Sequence, residues 1–233
     1  MSLPKRFYKD VDTAPEGSGV TVRLDGKSVR TPAKAPLLLP TQELADAVAE
    51  EWRAQGERVD PETMRLTKLA NSAIDGVRGR EAAVLDDVIA FAGSDLLCYR
   101  AEGPEELIAK QSEHWDPVLA WAKEELGAPL NLAQGVAHVA QPQASLDVIQ
   151  ERLKDFDAFS LAALHVLTSL TGSALLALAV ALKRLTPNQA WAAAHVDEDW
   201  QISQWSEDAE AAERRARRRQ EFDAACRMLE LLG

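Results

Sequence analysis

The sequence is short of cysteine and of basic residues, and each shortage disfavours a class of protein. Cys98 and Cys226 are the only cysteines among 233 residues, and they lie far apart with no Cys-x-x-Cys spacing. Neither a disulfide framework nor a thiolate metal site is therefore indicated. Lysine and arginine number 26 against 37 aspartates and glutamates, which gives a formal net charge of −11. This excess of negative charge disfavours nucleic acid and anionic membrane surfaces as partners.

Long, uninterrupted apolar runs are also missing. The N-terminus has none that could form the core of a signal peptide, so we expect a cytoplasmic protein unless a leader has been removed. The longest apolar stretch, residues 160–182, is rich in alanine and is interrupted by His165 and by several serines and threonines. It predicts a buried helix that breaks near Gly172 rather than a membrane span. A peripheral membrane factor that uses this stretch is a weaker alternative.

The spacing of apolar residues changes along the chain, and the change predicts two domains. Residues 20–24 alternate between apolar and polar and are followed by an Asp-Gly pair, a pattern typical of a β-hairpin. From Thr41 onward apolar residues recur every three or four positions, which predicts helices. We therefore expect an α+β fold, in which a small N-terminal α+β domain (residues 1–100) precedes an all-α domain (residues 101–233).

The clearest helix start lies at Thr186. Pro187 can occupy the first helical position, and Gln189 can complete a capping box with Thr186. The helix that begins here is expected to run past Trp205 toward the arginines of residues 214–219. It would then be the longest helix in the chain.

Phosphate-binding motifs are incomplete. Gly26-Lys27-Ser28 resembles the end of a Walker A loop, but Thr21 stands where that loop needs its first glycine. Gly17-Ser18-Gly19 could begin a dinucleotide fingerprint, but Val22 occupies the position of the third glycine. The sequence therefore indicates no nucleotide site.

His195 is followed by three acidic residues within four positions, and it allows two interpretations. On a helix, His195 and Asp199 would share a face with Glu198 beside them, a geometry that can hold metal ligands. The same residues are also typical of a solvated helix face. A metal-dependent or small-molecule enzyme that uses these three residues is kept as the alternative function.

Charge changes sign abruptly near the end of the chain. Seven acids and no bases lie between Asp197 and Glu213, and five arginines follow within residues 214–219. Ion pairs between an acid and an arginine four positions later would neutralise part of this charge within one helix. The acidic segment also carries Trp200 and Trp205, which would either pack in the core or anchor a binding surface framed by charge.

Four segments, in order over nearly the whole chain, carry a recognisable pattern. They are Glu51-Trp52 with Gln55, Pro61, Met64, Leu66-Thr67, Leu69 and Asn71; Asp95-Leu96-Leu97-Cys98-Tyr99-Arg100; Gln111 with Trp115-Asp116-Pro117 and Trp121; and Glu198 with Trp200-Gln201, Trp205 and Glu210. Together they resemble the ATP12 family of F1-ATPase assembly chaperones.

The resemblance implies a small N-terminal α+β domain, a C-terminal bundle of roughly orthogonal helices, no enzymatic activity and no cofactor. It implies that the protein binds the free α subunit of F1 and shields the surface that the β subunit later covers. Nucleotide, nucleic acid and membrane insertion play no part in that task. The location would be the cytoplasm of a bacterium, or the mitochondrial matrix in a eukaryote after removal of a leader.

The resemblance also assigns residues to client binding. Glu198 is expected to be the leading functional acid, and Gln201, Trp205 and Glu210 are expected to accompany it. Ser206 follows Trp205 where we expect glycine in the family, which weakens the assignment of Trp205. Trp52 also matches the family pattern, but a structural role fits it better.

Overall fold

A computed structural model of the chain describes residues 3–135, 137–205 and 208–233. A small N-terminal sheet is followed by a helical region, which confirms the α+β class. The chain divides into two compact units. The first consists of Met1–Glu81, Asp157–Ala163 and Arg227–Gly233, and the second of Ala82–Phe156 and Leu164–Cys226. The predicted division into domains at residues 1–100 and 101–233 would have to be tested by folding each part alone, and it stays a prediction.

An antiparallel sheet forms the start of the first unit. Its strands are β1 (Val11–Glu16), β2 (Gly19–Leu24), β3 (Lys27–Ser28) and β4 (Leu38–Leu39). β2 pairs with each of the other three. Asp25 and Gly26 both have positive φ, 49° and 78°, as the tight turn of a two-residue hairpin requires. The predicted hairpin is confirmed, and the longer pairing of β1 with β2 was not foreseen.

Two helices pack in the same unit, and in each a side-chain oxygen accepts hydrogen bonds from N–H groups of the first turn. They are α1 (Gln42–Arg53) and α2 (Arg65–Ser72). The Thr41 hydroxyl accepts a hydrogen bond from the backbone N–H of Leu44, as expected of an N-cap. The Glu51 carboxylate of α1 accepts from the N–H groups of Leu66 (2.7 Å) and Thr67 (2.8 Å). One acid of α1 therefore satisfies the first turn of α2.

Helices continue through the rest of the chain. They are α3 (Glu81–Ala92), α4 (Glu105–Trp121), α5 (Gln143–Leu153), α6 (Ala158–Thr171), α7 (Ala174–Ala181), α8 (Pro187–Ala194), α9 (Val196–Trp205) and α10 (Ala209–Leu232). Two short strands, β5 (Tyr99–Arg100) and β6 (Ala133–Gln134), pair in parallel. The helical content after residue 80 agrees with the sequence analysis.

The apolar stretch of residues 160–182 breaks where its sequence predicts. α6 ends at Thr171, Gly172 adopts a left-handed φ of 69°, and the Ser173 hydroxyl accepts from the N–H of Leu176 to begin α7. Glycine suits this position because other residues adopt that backbone at a cost. Within the described ranges, no helix combines the length and the apolar character that a membrane span needs.

The predicted long helix from Thr186 to the arginine run is wrong. The capping box at Thr186 and Gln189 is present, but α8 ends at Ala194 and α9 begins only after His195. His195 Nδ1 forms a hydrogen bond of 2.8 Å with the Trp191 carbonyl oxygen, and the backbone N–H of His195 donates instead to the carbonyl of Ala192. The side chain thus replaces the helical hydrogen bond, and the helix ends.

Asp95 is a fully buried carboxylate that caps two elements. It accepts hydrogen bonds from the N–H groups of Leu97 (3.1 Å) and of Leu175 in the first turn of α7 (3.0 Å). Burial raises the pKa of Asp95 to about 6, although these N–H donors favour the charged form. Folding therefore stabilises the protonated carboxyl relative to the unfolded chain.

We expect the pH dependence of stability to report Asp95. Because its folded pKa lies above the unfolded value, its contribution is fully present below about pH 4 and is lost as the pH rises through about 6, by up to about 3 kcal/mol. The free energy of unfolding of the parent should therefore fall relative to Asp95→Asn over this range. Urea unfolding of both proteins at several pH values measures the difference, and parallel curves would contradict it.

Trp52 is expected to be a structural residue. It packs against the buried cluster of Tyr8, Leu24, Val59 and Met64, with its ring 5.6 Å from that of Tyr8. Trp52→Arg should lower the free energy of unfolding by about 3 kcal/mol, because it removes an aromatic ring and places a charge there. The matched control is Trp205→Arg, at an 84% exposed tryptophan, which should unfold like the parent in urea. Equal loss in both variants would refute the structural role.

Candidate functional site

Three of the four residues assigned to client binding share one face of α9. Glu198, Gln201 and Trp205 are spaced by three and four positions, so their side chains follow one another along the helix. Gln201 is exposed, the Trp205 side chain is 84% exposed, and the Glu198 side chain is 37% exposed. Glu210 lies in the first turn of α10 and is also exposed. Ser206, the expected departure from the family, lies outside the described residues.

Polar contacts from two buried side chains of α4 hold α9 and the end of α8. The Gln111 side chain, 1% exposed, donates to Asp197 Oδ1 at 2.7 Å and accepts from the N–H of Ala101 at 2.9 Å. The Trp115 indole donates to the Ala193 carbonyl at 2.7 Å. Of the residues in the family pattern, Gln111 thus holds α9 and Trp115 holds the end of α8, roles that spacing in the sequence does not reveal.

The arginine run of α10 is paired, in part with α9. Arg215 forms an ion pair with Asp199 of α9, and Arg219 reaches Asn188 of α8 at 2.5 Å. Within α10, as the spacing predicts, the pairs are Glu210 with Arg214 and Glu213 with Arg217. Such exposed pairs stabilise little. The Asp199–Arg215 pair matters more because it joins two helices.

The tryptophans of this region divide between core and surface. Trp191 is 8% exposed, stacks on His195 with ring centroids 3.8 Å apart, and meets Phe222 edge-on at 5.3 Å. Trp200 is partly buried, whereas Trp205 is almost fully in solvent. The alternative left open by the sequence is thereby resolved: Trp205 belongs to the surface.

His195 lies beneath Glu198. Its side chain is 2% exposed, and its Nε2 atom is 3.8 Å from Glu198 Oε2 with no hydrogen-bond partner among the described residues. Burial holds the pKa of His195 below its ordinary value, and Arg218 and Arg215 act in the same direction. The Trp191 carbonyl and Glu198 oppose this shift. The buried surroundings therefore favour the neutral form of the ring.

The metal group that the sequence allowed is not assembled. Asp199 is paired with Arg215, and His195 is bonded to the Trp191 carbonyl rather than to a shared centre with Glu198. In the described part of the chain, no group of three or more His, Cys, Asp or Glu side chains could hold a metal ion. The metal-site interpretation of His195, Glu198 and Asp199 is therefore wrong.

A surface cleft of about 350 Å³ lies in the first unit, and no sequence pattern indicated it. Its lining residues are Lys5, Arg6, Tyr8, Gly56, Glu57 and Arg58. The Arg6 guanidinium donates to the backbone carbonyls of Gln55 (2.6 Å), Tyr8 and Lys9 (3.2 Å each). The Arg6 guanidinium therefore holds the N-terminal segment against the chain near Gln55, and a structural role accounts for this charge in the cleft.

Comparison with known proteins gives consistent relatives. A family model described as ATP12 chaperone protein matches residues 5–123, slightly more than half of the chain. Among curated proteins, mitochondrial protein atp12 of Schizosaccharomyces pombe is 26% identical over 213 residues, which cover 86% of this chain and 73% of that protein.

Solved structures extend the likeness to α9. The crystal structure of the Atu1473 protein from Agrobacterium tumefaciens is 51% identical, with a TM-score of 0.96, and the match covers 99% of this chain and 87% of that one. The crystal structure of Atp12 from Paracoccus denitrificans is 41% identical, with a TM-score of 0.93, and the match covers 99% of each chain. The chain therefore belongs to the ATP12 chaperone family.

Proposed function

We propose that the protein is a chaperone for assembly of the F1 sector of ATP synthase. It binds the free α subunit and shields the surface of that subunit which the β subunit later covers. Membership of the ATP12 chaperone family supports the general role. The observation that carries the binding site is the exposed face of α9, with Glu198, Gln201 and Trp205 in a row.

Trp205 supports this site because its exposure has no benefit for the isolated fold. A tryptophan buries roughly 200 Å² when covered, so contact with a client would contribute about 5 kcal/mol at roughly 25 cal/mol per Å², before the costs of association are subtracted. Tryptophan is among the residues that most often anchor protein interfaces. The acids beside it add steering and selectivity more than affinity.

The proposed task answers a physical need. A subunit without its neighbour exposes an apolar interface larger than the patches of ordinary monomers, and such surfaces aggregate. A useful chaperone must bind tightly enough to prevent this and weakly enough for the β subunit to displace it. One exposed aromatic framed by polar groups fits that intermediate affinity.

The proposal involves no enzymatic activity, cofactor, nucleotide, nucleic acid or membrane insertion. The client is a protein, and the location is the bacterial cytoplasm or, in a eukaryote, the mitochondrial matrix. Relatives in two bacteria and in mitochondria support these two settings.

Glu198→Lys should weaken binding of the isolated F1 α subunit and leave the fold unchanged, because a half-exposed acid acts through complementarity. Calorimetry should show a dissociation constant raised about tenfold or more, and thermal melting should match the parent. Glu221→Lys, at an exposed acid of α10, is the matched control and should bind like the parent. Equal binding by Glu198→Lys would remove Glu198 from the site, and no binding by the parent at about 10 μM would refute the client.

Trp205→Ser should lose most of the protection that the parent gives against aggregation of the isolated α subunit. The reason is the loss of the largest apolar contact available on α9. Light scattering during dilution of the subunit from denaturant measures this protection. Leu132→Ser removes a 50% exposed side chain from a loop and should protect like the parent. Equal protection by Trp205→Ser would place the client elsewhere.

A further inference from the structure

We infer that Glu198 receives a lysine or arginine side chain of the client, and that neutral His195 keeps the Glu198 carboxylate free for that contact. The inference rests on the proposed function and adds the chemistry of the recognised group. It also makes recognition dependent on the protonation of a buried histidine that does not itself touch the client.

The three consecutive acids of α9 have different surroundings. Asp197 accepts a hydrogen bond from buried Gln111, and Asp199 is paired with Arg215. Within the described ranges, Glu198 forms no ion pair with a lysine or an arginine, and its side chain is 37% exposed. Glu198 is thus the acid of this group whose charge is left for an external cation. Complementarity points the same way, because the chain as a whole carries −11.

The hydrogen bond at Nδ1 fixes which nitrogen of His195 carries the proton. The Trp191 carbonyl 2.8 Å from Nδ1 can only accept, so Nδ1 must donate. A neutral imidazole has one proton, and Nε2 therefore presents a lone pair toward the Glu198 carboxylate 3.8 Å away. Two acceptors cannot bond to each other. The neutral ring thus gives Glu198 no donor and leaves the carboxylate available.

Protonation of His195 would reverse this arrangement. With a proton from solvent on Nε2, the ring becomes a donor and a cation and would form an internal ion pair with Glu198. The charged groups that face His195 are Glu198 of α9 and Arg215 and Arg218 of α10, while α8 contributes the Trp191 carbonyl. An internally paired Glu198 would compete with the cation of the client, so binding should weaken in acid.

The coupling is tested first without a client. Titration of the His195 ring by NMR should give a lower pKa in Glu198→Gln than in the parent, by about 0.5 unit or more, because the carboxylate stabilises the imidazolium. Ring ¹⁵N shifts at about pH 7.5 should show the proton on Nδ1. Glu221→Gln should titrate like the parent. Equal pKa values in Glu198→Gln and the parent, or a proton on Nε2, would overturn the inference.

The second measurement is calorimetry with the isolated α subunit. From about pH 7.5 to about 5.5, parent affinity should fall roughly 3- to 10-fold relative to His195→Asn, whose side-chain amide can still donate to the Trp191 carbonyl but cannot titrate. Parent affinity should also fall more steeply with NaCl than that of Glu198→Gln, since only the parent loses a charge pair to screening. Identical pH profiles or identical salt slopes would overturn the inference.

The two sets of results separate failure of the inference from failure of the proposed function. If the parent binds the α subunit but the slopes do not differ, recognition of a cation by Glu198 is wrong while the client stands. If the parent does not bind at any pH, the proposed client is wrong, and the cation inference falls with it. The NMR titration then still decides whether His195 and Glu198 are coupled.

Discussion

The hydrogen bond between the His195 ring and the Trp191 carbonyl shapes the face proposed to bind the client. By forming this bond, the side chain replaces the helical hydrogen bond to the Trp191 carbonyl, and α8 ends before α9 begins at Val196. The same bond fixes the proton of the imidazole on Nδ1 and turns Nε2 toward Glu198. One contact therefore decides both where the exposed helix begins and what electrostatic environment its central acid has.

α9 can expose so much of its surface only because other helices hold its first turns. Val196 is the residue of α9 that is buried, so the helix gains little from its own apolar packing. Gln111 donates a hydrogen bond to Asp197, and Arg215 forms an ion pair with Asp199. Both contacts are polar, and the Gln111 side chain is buried, so that leaving its hydrogen bond unmade would cost about 1–3 kcal/mol. The far end carries the exposed Trp205, the residue proposed to contact the client.

Local chemistry explains which features the sequence could predict. The Asp25-Gly26 turn, the caps at Thr41 and Thr186 and the break at Gly172 each depend on residues within a few positions of one another. The end of α8 was not predicted, because a histidine in a helical pattern gives no sign that its ring will form a hydrogen bond with a carbonyl of the preceding turn. The hydrogen bond from Gln111 to Asp197 joins residues 86 positions apart, and the spacing of apolar residues along a helix cannot predict a contact between residues so far apart in sequence.

The same limit applies to the candidate site, where resemblance supplied Glu198 and Trp205 but not their environment. Trp191 and Trp205 look alike in the sequence, yet one is 8% and the other 84% exposed. The difference follows from position: Trp191 lies between α10 and the His195 ring, whereas Trp205 is the last residue of α9, beyond the contacts at Asp197 and Asp199. Packing thus explains the first tryptophan, whereas the second is available for the binding role proposed for it.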